Sequence, residues 1–335
     1  MAVEKTAKDI SLICTKDKRI LEEDRRSELL DLLRAFVQPN ENPNLSSNFN
    51  IPGADPVHVF IEILLQRSVQ KDAEAVHLLL RSLKILSRKQ DNRCIIGADG
   101  IMAVLLSLSP PLTPKIAAEG ANVLLNVCYE PQNVSALLNT TGVQQLVGFL
   151  SDDDPDLQAN AAGAIQSICF QPLGRQRVCD LGGIQNLLPL LGCNHPKVVT
   201  RAAGAIHNLS SDSESIRLIR KYAGIPRLLL LLSDTNVAVA GSAAGALQNV
   251  SRELASRLLI REMDAIPALA MLLSCEDVHA QVCAAGALLN ILGPDLEGGM
   301  YGPRADRRSL GRMMSLVMAA SMVFDGVYEK RPEIV

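Results

Sequence analysis

Apolar and small residues return along this chain at a constant interval, separated by short polar breaks. One apolar helical pattern is opened by Gly100-Ile101, Gly142-Val143, Gly183-Ile184, Gly224-Ile225-Pro226 and Ala265-Ile266-Pro267. It predicts helices over 102–108, 144–150, 185–191, 227–232 and 268–273. Polar, helix-breaking links follow at 151–155, 192–196, 233–236 and 274–277, and their Asp, Asn and Ser residues suit N-caps. A longer, small-residue helix comes next, ending on Asn126, Ser167, Asn208, Asn249 and Asn290, each 41 residues after the last. A third, short helix, as over 214–222 and 253–263, leads to the next opening. Three helices repeating every 41 residues mark a solenoid, because one such unit cannot bury its own apolar face and must stack on its neighbours.

The flanks break this rhythm. Residues 57–98 read as a degenerate unit, with an apolar helix over 57–66, a long helix over 73–86 and a short approach over 93–98. Before it, 39–56 is an Asn-, Pro- and Ser-rich linker, and 1–38 forms an N-terminal cap with helices over 3–15 and 18–37. The array runs to 293 and a loop follows at 294–306. Residues 307–335 then hold a Met-rich helix, with Met313, Met314, Met318 and Met322, that covers the apolar end of the stack, and a tail.

Composition narrows the class. Apolar residues make up 48% of 335 while aromatics are 3% and Trp is absent, so Leu, Ala, Ile and Val carry the core. The net charge of -3 lacks the basic excess of a nucleic-acid binder. Eight cysteines show no CxxC spacing and read as small buried hydrophobes; with charges at Glu4 and Lys5, they place the chain in a reducing, cytoplasmic setting, also compatible with nuclear or ciliary locations, and not secreted. No stretch reaches the roughly 20 apolar residues of a membrane span.

Catalytic signatures are absent: there is no phosphate-binding glycine loop, no HExxH and no GxSxG. The five histidines are dispersed, His195 sits in a loop, and Asp152-Asp153-Asp154 reads as an N-capping link rather than a metal site. The expectation is therefore no enzyme, no cofactor and no metal.

The repeated patterns G-[IV]-x-x-L-[LV]-x-[LF]-L and A-A-G-A-[IL]-x-N-[LV] resemble the armadillo repeat over residues 57–293, and are most similar to β-catenin-type arrays. The resemblance implies an all-α, right-handed α-solenoid of about five clear repeats and one degenerate N-terminal repeat, with helical caps. It further implies that Asn126, Asn208, Asn249 and Asn290 line a concave groove and bond the backbone of an extended peptide, with Ser167 a weaker rung. Helices about 8–10 Å apart would meet an extended chain at every third residue or so. Read on their own, the Asn residues also admit a second role, capping or bridging helices within the solenoid. Peptide-binding relatives such as importin-α carry Trp four residues before the Asn, where this chain has Asn122, Gly163, Gly204, Gly245 and Gly286. Nuclear import is therefore disfavoured.

Around the Asn register the chain would offer Arg201, His207, Gln248 and Arg252, a polar and mildly positive surface, with Tyr129 and Phe170 as apolar anchors. The expected function is a protein-interaction scaffold holding an extended or helical partner segment, one bearing acidic and hydrophobic anchors. The alternatives are an armadillo-type regulator of an enzyme (an exchange factor or chaperone cofactor) and a structural subunit of a ciliary or cytoskeletal assembly.

Overall fold

Helix starts are built from the polar links. In the computed structural model, which describes residues 23–42, 55–109 and 112–292, Asp154 accepts hydrogen bonds from the N–H groups of Asp156 (2.8 Å) and Leu157 (3.1 Å), directly before Pro155. Thr113 caps Ile116 N–H, Asn236 caps Ala238 N–H, and Asp72 caps Glu74 and Ala75. Each side chain satisfies a donor that the first helical turn leaves without a partner.

The chain divides into two compact units, Met1–Arg177 and Val178–Val335. The described residues of the first hold α1 (Glu23–Asn40), α2 (Asp55–Leu64), α3 (Ala73–Leu86), α4 (Gln90–Ser107), α5 (Pro114–Val127), α6 (Pro131–Leu138), α7 (Gly142–Phe149) and α8 (Pro155–Ile168). Helix α9 (Pro172–Asp180) runs across the boundary. The second unit continues with α10 (Gly183–Leu190), α11 (Pro196–Leu209), α12 (Ser213–Lys221), α13 (Gly224–Leu231), α14 (Val237–Val250), α15 (Leu254–Glu262), α16 (Ile266–Leu272) and α17 (Val278–Leu292).

Within each unit the long third helices stack on one another: α1 on α3, α3 on α5 and α5 on α8 in the first, α11 on α14 and α14 on α17 in the second. Each second helix packs on the third helix of its own repeat, as α7 on α8 and α13 on α14. Each unit is thus an all-α stack of three-helix repeats. Helix α1 buries Leu29, Leu33 and Phe36, the last with its ring 5.3 Å from Phe60. Arg26 fastens it to the N-cap carboxylate of α3, with Nη2 3.1 Å from Asp72 Oδ1.

Helix α4 is two helices, the short approach and the apolar helix that the sequence predicts, joined across a kink where Gly97 takes a non-helical φ of +47°. One detail differs from expectation: the glycine that opens each apolar helix does not itself make the sharp turn. The left-handed residue falls one position earlier, at Gly182 (φ +77°), Ala223 (+54°) and Asp264 (+54°), each 41 apart. Gly224 is required by space instead: a Cβ there would lie 2.7 Å from Ile219 Cγ2 and 2.9 Å from the Ile219 carbonyl oxygen. The end of each first helix presses straight onto the start of the second. The expected helix over 3–15, the linker residues 43–54, the loop over 294–306 and the segment over 307–335 lie outside the described residues.

Gly224→Ala should lower stability by about 1–3 kcal/mol through overpacking. Ala223→Gly should leave stability unchanged or raise it, because relief of a left-handed Ala, worth about 1–2 kcal/mol, outweighs about 0.4–1 kcal/mol of added unfolded-state entropy. Urea unfolding midpoints check both; a Gly224→Ala protein as stable as the wild type would contradict the packing.

Candidate partner-binding site

The Asn register points its amides at the preceding repeat. Asn249 Nδ2 donates to Ser210 Oγ at 3.0 Å, and Ser210 Oγ donates in turn to the His207 carbonyl at 2.6 Å. Asn126 Nδ2 repeats the arrangement on Ser87 Oγ (3.0 Å), which donates to the Lys84 carbonyl, and also reaches the Asn122 Oδ1 and Lys84 O atoms at 3.4 Å. Asn290 Nδ2 bonds the Gln248 carbonyl directly at 2.9 Å. In two repeats, then, a serine two residues after the Asn position, Ser87 or Ser210, receives the amide of the next helix. Asn208 is half-buried in α11. The described geometry therefore spends these amide N–H groups on bracing, while the Oδ1 atoms of Asn249 and Asn290 accept no hydrogen bond among the described residues.

The residue before each Asn has a second task, one the sequence reading missed. The His207 ring lies where a Cβ on Gly245 would be, 2.5 Å from its Cε1 and Nε2 positions, and Gln248 Nε2 would be 2.2 Å from a Cβ on Gly286. The glycine four residues before Asn is thus the seat for a side chain of the preceding repeat. The available signal was the pairing of a large residue just before one Asn with Gly in the next repeat. Burial, with repulsion from His279 added, pushes the His207 imidazole down to about 4. Its ring centroid stands 5.7 Å from that of His279, whose Nε2 is 3.6 Å from Cys283 Sγ. His207 therefore contributes a neutral, enclosed ring near pH 7, rather than an open polar surface group.

The exposed members of the predicted site sit at the corners where a third helix meets the next first helix. Tyr129 (50% exposed) and Phe170 (69%) occupy the same register one repeat apart. They flank a recess of about 200 Å³ with Cys128, Val134 and Ser167 beneath and Gln171 at its rim. Gln171 Nε2 holds the rim by donating to the Pro131 carbonyl at 2.9 Å. In the second unit, Arg252 takes the corresponding position and shares a recess of about 370 Å³ with Ser211, Ser213, Ile216, Arg217 and Glu253. Arg201, partly buried on α11, is not part of that recess.

No group of three or more His, Cys, Asp or Glu among the described residues is placed to hold a metal ion. Of the cysteines, Cys128, Cys169 and Cys283 are buried as expected, but Cys179, Cys193 and Cys275 are partly exposed and Cys94 is exposed. Burial pushes the Cys128 thiol up to about 12. No helix among the described residues is long and apolar enough to cross a membrane.

Comparison with known proteins finds the same kind of repeat in part of the chain. The armadillo/beta-catenin-like repeat family matches residues 130–170 and 171–211, two consecutive 41-residue units. An engineered protein of known crystal structure matches with a TM-score of 0.64 and 26% identity, over 70% of this chain and 96% of its own. A designed armadillo repeat protein matches with a TM-score of 0.63 and 20% identity, over 69% and 98%. Another, solved in complex with the peptide (KR)4, has a TM-score of 0.61 and 21% identity, over 69% and 98%. At these two identities the likeness carries the fold alone. No curated protein matches the sequence.

Asn249→Ala should cost about 1 kcal/mol, the net worth of a neutral hydrogen bond, read from chemical denaturation. An unchanged midpoint would contradict the brace. For His207, the folded-state pKa lies below the unfolded value near 6.5, so the unfolded chain binds more protons between the two. Stability is full above about pH 6.5 and falls as pH drops toward 4, by up to roughly 1.4 kcal/mol per unit. Wild type should lose stability over this window relative to His207→Gln; parallel pH profiles would show that the ring is not enclosed.

Proposed function

We propose that this armadillo-repeat protein is a protein-binding scaffold that holds an extended or helical partner segment against the third helices and corners of its units. One observation carries the reading: two large aromatics, Tyr129 and Phe170, stand exposed at one register on either side of an apolar recess with a buried floor. Solvated aromatic surface around a preformed pocket is the form taken by an interaction anchor, because filling it removes water from both jaws and from the floor together. A bulky apolar side chain of the partner is the group that fits.

The Asn residues then act chiefly from behind. The N–H groups of Asn126, Asn249 and Asn290 tie their helices to the preceding repeat, so these corners are held in register. The unused Oδ1 atom of half-buried Asn290 leaves an acceptor for a partner backbone N–H. One designed relative was solved with a basic peptide, (KR)4. Arg201 and Arg252 give this chain's second unit the opposite preference, for acidic segments.

Selection of random dodecamer peptides displayed on phage tests this. The wild-type chain should enrich sequences with a large apolar anchor, and Tyr129→Ala with Phe170→Ala should weaken binding of the enriched peptides by about 30-fold or more, the loss of a 2 kcal/mol anchor. No enrichment on a correctly folded wild-type chain would contradict the reading.

A further inference from the structure

The corner recess recurs with the repeat, and its three instances within the units differ in how their charges are satisfied. In the earliest, Arg93 occupies the corner from within. Its guanidinium lies 5.6 Å from the Tyr129 ring centre, and its Nε donates to Glu130 Oε1 at 2.8 Å. One repeat later the position of Arg93 is held by Val134, and the recess between Tyr129 and Phe170 is apolar and open. In the second unit that same position is Ile216, buried as a floor, and the outer jaw is Arg252.

The charges in this last corner do not balance. Glu253, the counterpart of Glu130, is already taken. Arg220 Nε and Nη2 hold its two oxygens at 2.9 and 3.0 Å, and Ser256 Oγ adds a third bond at 2.5 Å. Arg217 lies 3.5 Å from Glu214 on its own helix. Arg252 has no hydrogen-bond or ion-pair partner for its guanidinium among the described residues, and the hydroxyls of Ser211 and Ser213 are likewise unpaired. A fork-shaped cation and two hydroxyl donors therefore face one recess of about 370 Å³, many times the roughly 30 Å³ share of a water.

We propose that the recess bounded by Ser211, Ser213, Ile216 and Arg252 is a subsite for one carboxylate side chain, Asp or Glu, of a bound partner segment. Arg252 takes the carboxylate through two parallel N–H···O bonds, as planar guanidinium groups do. Ser211 and Ser213 donate to its remaining lone pairs, and Ile216 supports its methylene stem. Arg217 and Glu253 also line the recess, but they pair with Glu214 and Arg220. Among the described residues Arg252 is thus the one unpaired guanidinium there and balances a single negative charge, which favours a carboxylate over a doubly charged phosphoryl group. The earliest corner supplies the internal precedent: there too a guanidinium and a carboxylate meet across the recess, both from this chain. The subsite rests on the scaffold reading above.

The test uses the full chain and displayed random dodecamers, with Arg252→Glu and the charge-retaining Arg252→Lys alongside, each checked for unchanged helicity and melting. Wild type should enrich peptides with an Asp or Glu at a constant spacing. A synthetic enriched peptide should bind about tenfold more weakly when that residue becomes Gln or when Arg252→Glu is the target. Arg252→Lys should keep most of the affinity, and the Gln peptide should no longer distinguish Arg252→Glu from wild type. Peptides enriched without an acidic requirement would overturn the subsite while leaving the scaffold reading intact. No enrichment at all would overturn both. A peptide with phosphoserine at the acidic position that binds more tightly would reassign the recess to phosphoryl groups and overturn the carboxylate assignment.

Discussion

Close approach of successive third helices is the constraint from which the rest follows. Where α14 meets α17, a Cβ on Gly241 would lie 3.1 Å from Ala280 Cβ and 3.3 Å from its Cα, so the two backbones nearly touch. Helices this near leave no volume for ordinary side chains between them, and the sequence answers with Ala and Gly at the facing positions. The one larger residue admitted per repeat, His207 or Gln248, is laid across the glycine of the next helix. Dispersion contacts weaken steeply with separation, so this tight seam supplies packing that larger residues at wider spacing would forfeit.

The brace and the corners are consequences of the seam. With the backbones so close, an Asn on one helix reaches the last turn of its predecessor, where carbonyls would otherwise lack partners. The serine two residues after the Asn position makes the relay, bonding a carbonyl and receiving the amide. Holding the helix ends together fixes the corners, and the corners are where large exposed side chains appear: Tyr129, Phe170 and Arg252. Binding surface is thus concentrated where the repeat is least constrained by its own packing.

The fold was legible in the sequence because its signal is periodic. Small residues at 41-residue intervals can mean little else, and α3 has the same bounds, Ala73–Leu86, that the apolar pattern predicts. The site was legible only in part. Tyr129, Phe170 and Arg252 emerge exposed, but register on a helix cannot say whether an amide looks outward or back, and the Asn row turned its donors inward. His207 was read as polar surface, since nothing in its own repeat reveals the glycine that encloses it one repeat later. Nor does the pattern reveal that the left-handed backbone falls on Ala223 and Asp264, one residue before the position that opens each apolar helix.

The most direct test is a double-mutant cycle between adjacent repeats, His207→Ala with Gly245→Ala, followed by urea unfolding. If the imidazole occupies the space above the glycine, Gly245→Ala should cost about 1–3 kcal/mol in the wild type. In the His207→Ala background it should cost nothing or stabilise, since Ala is the better helix former by about 1 kcal/mol. The same cost in both backgrounds would contradict the account, because the glycine would then be required for a reason unrelated to the side chain laid across it.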